Sequence, residues 1–237
     1  MSYKVINKTF DAYDGSQLDY FIREDTNDLN TILSIVDDDE YHIKDMTYSP
    51  NDTFVDIGAH IGGWSKFMSA LVSGCTVIAV EPLPDNLKLL EMNKVGAKIV
   101  PKAIFSRSGA HTKIYYGDNT KSGRHHRFIG NVLLLDSVRE EYIKAETISL
   151  NDLLKDTERV RVMKMDCEGG EYAALAFASK ATLSKIDYII GEYHNLKNEE
   201  KKTRTALLKY MKGLFTDISE SQEDASLGQF WFRNKRL

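Results

Sequence analysis

Thr53-Phe-Val-Asp-Ile-Gly-Ala-His-Ile-Gly-Gly63 starts as an apolar run and passes straight into a glycine-bearing turn. Phe54, Val55 and Ile57 read as a strand buried on both faces, and Gly58 lets the main chain turn sharply at its end. Gly62 and Gly63 then allow a helix to begin close to the strand. Outward from this point the pattern alternates. Trp64–Leu71 reads as a helix, Thr76–Val80 as a strand, Asn86–Val95 as a helix with Leu87, Leu90 and Val95 near helical spacing, and Lys98–Val100 as a strand. Such alternation predicts βαβ units and a parallel sheet. Right-handed crossovers put the strand carboxyl ends on one side, where an open α/β sheet keeps its ligand crevice.

The same alternation returns downstream. Arg161–Asp166 and Tyr188–Glu192 read as strands, Tyr172–Ala178 as a helix and Glu199–Lys212 as an amphipathic helix. Phe215–Ser219 and Gln229–Arg233 suit a terminal antiparallel hairpin. Between the two halves, residues 105–148 interrupt the rhythm, with short strands at Lys113–Tyr116 and Asn131–Leu135 around a polar loop, Gly117–Gly130. Ser149-Leu-Asn-Asp152 resembles a capping box and starts a helix over Leu150–Leu154. Ahead of Thr53, Tyr3–Phe10 and Gln17–Ile22 read as a hairpin turned at Asp14-Gly15, followed by helices at Asn30–Val36 and Glu40–Met46. The expected organisation is an extension, 1–52, packed on a doubly wound α/β domain, 53–237, whose insertion at 105–148 serves the substrate.

A chain of 237 residues suffices for one large domain with a full core. Its net charge of −4 offers no general attraction to nucleic acid or anionic membrane. The first residues lack a signal-peptide core and no apolar run is long enough to span a bilayer, which predicts a cytoplasmic protein, monomer or homodimer. Cys75 and Cys167 show no metal-binding spacing. Acidic neighbours raise the Cys167 thiol pKa, which argues against a nucleophile.

At the first edge, Asp56 ends its strand as a hydrogen-bond acceptor, and Gly58 admits a ligand against the backbone. A dinucleotide fingerprint needs glycine two residues after Gly58, where this chain has His60. The side chain there obstructs a pyrophosphate, which disfavours a nicotinamide-dependent oxidoreductase. The next strand ends at Glu81-Pro82, about twenty residues further on, where a carboxylate can take both ribose hydroxyls. S-adenosylmethionine meets these requirements without a pyrophosphate.

The second edge is Lys164-Met-Asp-Cys-Glu-Gly-Gly-Glu171, followed one strand later by Gly191-Glu-Tyr-His194. Carboxylates this dense at a strand end need a cation, a metal or a proton in transit. Asp166, Glu168, Glu192 and His194 form a constellation for accepting a hydroxyl proton, and magnesium is the alternative occupant, although no dedicated metal motif is present. Glu171 is assigned to the acceptor side. The plain alternative has Glu168 and Glu171 satisfying the helix N-terminus, with Lys164 paired to one of them. In the inserted loop, Arg124, His125, His126 and Arg127 can grip a phosphate or carboxylate of the acceptor.

These segments, together with Thr147-Ile-Ser-Leu-Asn-Asp-Leu153, resemble the FkbM family of methyltransferases over roughly residues 53–195. The Lys-x-Asp-x-Glu-Gly-x-Glu segment is the diagnostic part. The resemblance implies a class I methyltransferase (Rossmann-like) fold, a seven-stranded sheet with its last strand antiparallel. It also implies S-adenosylmethionine as donor and O-methylation of a hydroxyl on a sugar, glycan or natural product. By position it implies Asp56, Gly58 and Gly62, with Ala59 and His60 between them, along the methionine part. Glu81-Pro82 then falls at the ribose, Lys102-Ala103 near the adenine, and Asp166 with Glu168 beside the sulfonium. The chain departs from the family at His60, commonly asparagine, and at Gly170, commonly alanine. A nucleic-acid methyltransferase is the competing class. The Asp-Cys-Glu-Gly turn, where base methylases carry an Asn-Pro-Pro-Tyr type, speaks against it.

Overall fold

The computed structural model describes residues 3–118, 127–131, 142–194, 203–219 and 227–237. Strands β1 (Val5–Asp11) and β2 (Gln17–Arg23) pair as an antiparallel hairpin, followed by helix α1 (Asp28–Val36). The alternating core is β3 (Thr53–Ile57), α2 (Gly63–Leu71), β4 (Thr76–Val80), α3 (Pro84–Met92) and β5 (Ala97–Val100). Next come the short β6 (Ala103–Ile104), then β7 (His111–Asp118), β8 (Arg127–Asn131) and β9 (Tyr142–Ile148). The C-terminal half holds α4 (Leu150–Leu153), β10 (Val160–Met165), α5 (Gly170–Phe177), α6 (Lys180–Ser184), β11 (Ile186–His194), α7 (Arg204–Tyr210), β12 (Phe215–Asp217) and β13 (Leu227–Asn234).

The main sheet runs β12-β13-β11-β10-β3-β4-β5, and β13 runs against the direction of the other six. The chain works outward from β3 through β4 and β5, then returns to β10 on the other side of β3. The switch point therefore falls between β3 and β10, whose carboxyl ends carry the two acidic, glycine-bearing segments. Apolar residues of alternating orientation feed a core on each face. Val55, Ile57, Val80 and Met165 pack with α5, while Phe54, Val77 and Val162 pack with α2 and the N-terminal hairpin. Phe10, Tyr20 and Ile22 join the second of these cores, so the hairpin is fastened to the sheet by burial.

A smaller sheet, β6-β9-β7-β8, occupies the interruption. The sequence pattern places a polar loop over Gly117–Gly130, but Arg127–Asn131 is strand β8, paired with β7. Strand β9 and the short helix α6 have no counterpart among the sequence expectations. Ser149 does cap α4, its side chain accepting from the Asp152 N–H. The second expected N-terminal helix, Glu40–Met46, is a set of turns. Asp39 and His42 have φ of 51° and 50°, values that a right-handed helix excludes. No helix among the described residues is long and apolar enough to cross a membrane.

Candidate active site

Two close main-chain approaches bring three strand ends together. Parallel pairing sets Asp56 beside Lys164 and Met165 beside Gly191. A Cβ at Gly58 would lie 1.9 Å from the Asp166 carbonyl oxygen, and one at Gly191 would lie 1.7 Å from that of Met165. Their φ values, 78° and 152°, add a second reason that only glycine serves there. The first edge is thus pressed directly onto the second.

In the turn after β3, the N–H groups of Gly58 and Ala59 both donate to the Val80 carbonyl, and Gly62 N–H donates to the Ala59 carbonyl. His60 N–H donates to Glu81 Oε2 at 2.9 Å. These bonds tie the turn to the end of β4 and to Glu81. Glu81 Oε1 accepts from Leu83 N–H at 2.9 Å and Asn86 Nδ2 at 3.3 Å. Burial raises its pKa to about 7 despite these donors. Beside it, Asn86 Oδ1 is buried without a hydrogen-bond partner. A carboxyl and an orphaned acceptor side by side suit a ligand that brings hydroxyl donors. Pro82 leads from β4 into α3. After β5, Lys102 reaches Glu146 of β9 at 2.6 Å, and Ala103 is buried in β6.

One expected ligand contact, Asp56, is placed behind the surface. Asp56 is fully buried, receives the Ser65 hydroxyl at 2.7 Å and pairs with Lys164 Nζ at 3.2 Å. Lys164 also donates to the Gly58 carbonyl at 3.0 Å. Burial opposes its charge, but the Asp56 and Asp166 carboxylates outweigh that and raise its pKa. Asp56 therefore holds the lysine that holds the turn. The lysine does not pair with Glu168 or Glu171, as the plain reading of that segment has it.

His60, at φ 53°, turns its ring toward the N-terminal region, where Nε2 lies 2.9 Å from Arg23 Nη2. Arginine only donates, so Nε2 accepts and the ring is neutral. Burial, with Arg23 nearby, lowers its pKa to about 4. Arg23 in turn clasps Asp28 through Nε and Nη2, both at 2.8 Å. This buried pair fastens the donor turn to β2 and α1.

At the second edge, His194 is the centre. Its Nδ1 lies 2.7 Å from Glu171 Oε1, and its Nε2 lies 3.6 Å from Glu168, 3.6 Å from Glu192 and 3.9 Å from Asp166. Burial opposes charge on the ring, but Glu171, Glu168 and Asp166 prevail and raise its pKa to about 10. The ring is an imidazolium at neutral pH, the cation that the carboxylates require. Glu171 is fully buried and bound to that ring, so it stands behind His194 rather than against an acceptor. Burial, then Asp166, raise Glu192 to about 9, which keeps it protonated. Glu168 has φ 54°, a left-handed value like that of His60 on the other edge. Burial, Glu171 and Asp166 raise the Cys167 thiol, which leaves it inert. Ligand atoms of Asp166, Glu192 and His194 lie within 4.8 Å of one another. A metal held by this trio would take the place of the His194 proton.

Tyr41 also belongs here, its hydroxyl donating to Asp166 Oδ2 at 3.4 Å. Of the basic acceptor-side group, Arg124, His125 and His126 lie outside the described residues, and Arg127 begins β8.

A doubly wound sheet of this strand order, with one antiparallel strand inserted near its end, is the class I methyltransferase fold. Residues 56–221 match the family model described as the methyltransferase FkbM domain, and the chain belongs to that family. It is similar to 31-O-demethyl-FK506 methyltransferase FkbM of Streptomyces tacrolimicus, at 24% identity over 174 residues, covering 62% of this chain and 67% of that protein. It is also similar in fold to the crystal structure of methyltransferase FkbM from Methylobacillus flagellatus KT, with a TM-score of 0.51 and 14% identity. That match covers 81% of this chain but 45% of the other, so this chain spans under half of that protein's length.

Proposed function

We propose that the protein transfers a methyl group from S-adenosylmethionine to a hydroxyl oxygen of a small molecule, of the sugar, glycan or natural-product class. The observation that carries this reading is the cluster of Asp166, Glu168 and Glu192 around the His194 imidazolium, pressed against Gly58 at the switch point. When bound, S-adenosylmethionine supplies an electrophilic methyl on a sulfonium, open to in-line displacement. Glu81 and Asn86 accept hydrogen bonds from its ribose hydroxyls, Gly58 and Gly62 leave room along its methionine part, and Lys102-Ala103 face its adenine. Asp56 acts indirectly, by fixing Lys164 and the turn.

On the acceptor side, Asp166 takes the hydroxyl proton as the oxygen–carbon bond forms, and Glu168 is its neighbour. The imidazolium of His194 offsets the negative charge of this edge, and Glu171 keeps that ring oriented. Lys164, whose charge the Asp56 and Asp166 carboxylates favour, ties this edge to the donor turn through the Gly58 carbonyl. The segment Arg124–Arg127 supplies cations for an acidic group elsewhere on the acceptor, within the insertion 105–148.

Two further considerations support an oxygen acceptor of modest size. The Streptomyces relative bears the name of an O-demethyl substrate. The acidic edge repels a polyanionic backbone. Calorimetric titration of the full chain with S-adenosylmethionine and, separately, NADH tests the reading. Binding of the first and not the second is expected, and the reverse result overturns it. Magnesium keeps one test: turnover abolished by EDTA and restored by magnesium would replace the proton-holding cluster with a metal centre.

A further inference from the structure

Glu40 and Tyr41 lie ahead of the stretch matched by the family, residues 56–221, yet the Tyr41 hydroxyl reaches Asp166 in the acidic edge. They stand in a turn organised by Asp39, a buried carboxylate that accepts from Ile43 N–H at 2.8 Å and Lys44 N–H at 3.3 Å. Asp39 and His42, either side of the pair, are both left-handed at φ 51° and 50°. Non-glycine residues hold such values only where the surroundings over-determine them. Here two of the three anchors are distant in sequence. The His42 ring meets Trp231 of β13 edge-on at 4.2 Å between centroids, Gln229 Nε2 reaches the Glu40 carbonyl at 3.5 Å, and the Tyr48 hydroxyl donates to the Ile43 carbonyl at 2.5 Å.

We propose that this turn is a working part of the catalytic edge, with Tyr41 positioning Asp166. The proposal rests on the methyl-transfer reading above. Tyr41 is buried, and the Lys164 ammonium lies 5.7 Å from its ring centroid. Lys164 binds the Gly58 carbonyl and Asp56, so Tyr41 touches both the acid and the cation that tie the two edges together. Burial and the Asp166 carboxylate raise the phenol well above its ordinary pKa, so its proton always points outward as a donor. Beside it, Glu40 is fixed at one oxygen by the Ser34 hydroxyl at 2.8 Å. Asp166 thus has the Tyr41 hydroxyl on one oxygen and His194 Nε2 3.9 Å from the other. The N-terminal region is then not a cover for the sheet but a contributor to its chemistry.

The test uses the full chain with Tyr41→Phe, which keeps shape and removes one proton contact. Calorimetry with S-adenosylmethionine is expected to give unchanged affinity, while kcat toward the hydroxyl acceptor turned over by the unsubstituted protein falls about tenfold or more, since small misplacements of reacting groups cost that much. Wild-type kcat in the variant overturns the proposal. A purely structural role would instead lower donor affinity and kcat together, and would overturn it too. A second measurement needs no acceptor: thermal unfolding of Tyr41→Phe, Asp166→Asn and the double variant. Losses in Tm smaller in the double variant than the two singles combined are expected, and additive losses refute the contact. If the unsubstituted chain binds no S-adenosylmethionine, the methyl-transfer reading fails, and the unfolding cycle still decides whether Tyr41 positions Asp166.

Discussion

Replacing Glu171 by glutamine tests how His194 is charged. Glu171 Oε1 sits 2.7 Å from His194 Nδ1, and both side chains are buried. Burial alone disfavours the charged ring, but Glu171, then Glu168 and Asp166, lift its pKa from 6.5 to about 10. A rise of that size is worth roughly 5 kcal/mol of preference for the imidazolium, spread over all of its acidic neighbours. Removing one partner of a buried pair costs about 3–5 kcal/mol. Glu168 and Asp166 still face the ring, so the lower end, about 3 kcal/mol, is expected at neutral pH. In a chain of this length that lowers Tm by roughly 6–12 °C. The sign with pH follows from the raised value. The folded protein holds its proton more tightly than the unfolded chain, so the stabilisation is complete below the unfolded pKa of 6.5 and is lost as pH rises through about 10. Scanning calorimetry of both proteins between about pH 6 and pH 10.5 should therefore show a Tm gap that is widest at the acidic end and closes at the basic end. A gap that does not change with pH, or no gap at all, would refute the imidazolium and the role given to Glu171.

Three other outcomes are expected. Gly58→Ala places a methyl 1.9 Å from the Asp166 carbonyl at a φ of 78°. It should cost about 3 kcal/mol or more and abolish binding of S-adenosylmethionine, read by unfolding and calorimetry. Asp166→Asn should lower methyl transfer by about 10²–10⁴-fold while donor affinity is retained, and full transfer by this variant removes the assigned base. Glu81 has a folded pKa raised by burial from 4.5 to about 7, so it destabilises the fold progressively as pH rises across that interval and no further above it. Glu81→Gln should flatten Tm against pH over that window and weaken the donor by about tenfold, as expected for lost hydrogen bonds to a charged acceptor; an unchanged Tm profile contradicts the buried carboxyl.

The parts of this structure that were legible in the sequence are those governed by short-range pattern. Thr53–Ile57 and Thr76–Val80 were legible as strands because buried parallel strands are near-continuous apolar runs closed by turn residues. Ser149 was legible as a cap from its spacing to Asp152. Glu40–Met46 misled because its composition permits a helix, and the left-handed geometry of Asp39 and His42 is set by distant anchors such as Trp231. The candidate site divides in the same way. Asp166, Glu168, Glu192 and His194 were legible as a cluster because parallel neighbouring strands bring their ends together. Asp56 and Glu171 were assigned to ligands because a sequence shows a carboxylate but not its burial. Lys164 reaches Asp56 through strand pairing, and His194 reaches Glu171 across 23 positions of the chain. Tyr41 meets Asp166 across 125 positions, a contact that no local pattern encodes.

The account turns on a hydroxyl oxygen as the methyl acceptor, beside Asp166. The direct measurement is transfer from S-adenosylmethionine labelled with carbon-13 at its methyl group, offered a panel of sugars, polyols and hydroxylated macrocycles, with the product read by carbon NMR and mass spectrometry. A labelled methyl bonded to oxygen, whose formation Asp166→Asn suppresses, is the predicted result. A labelled methyl on nitrogen or carbon, or an O-methyl product formed equally well without the Asp166 carboxylate, would contradict it.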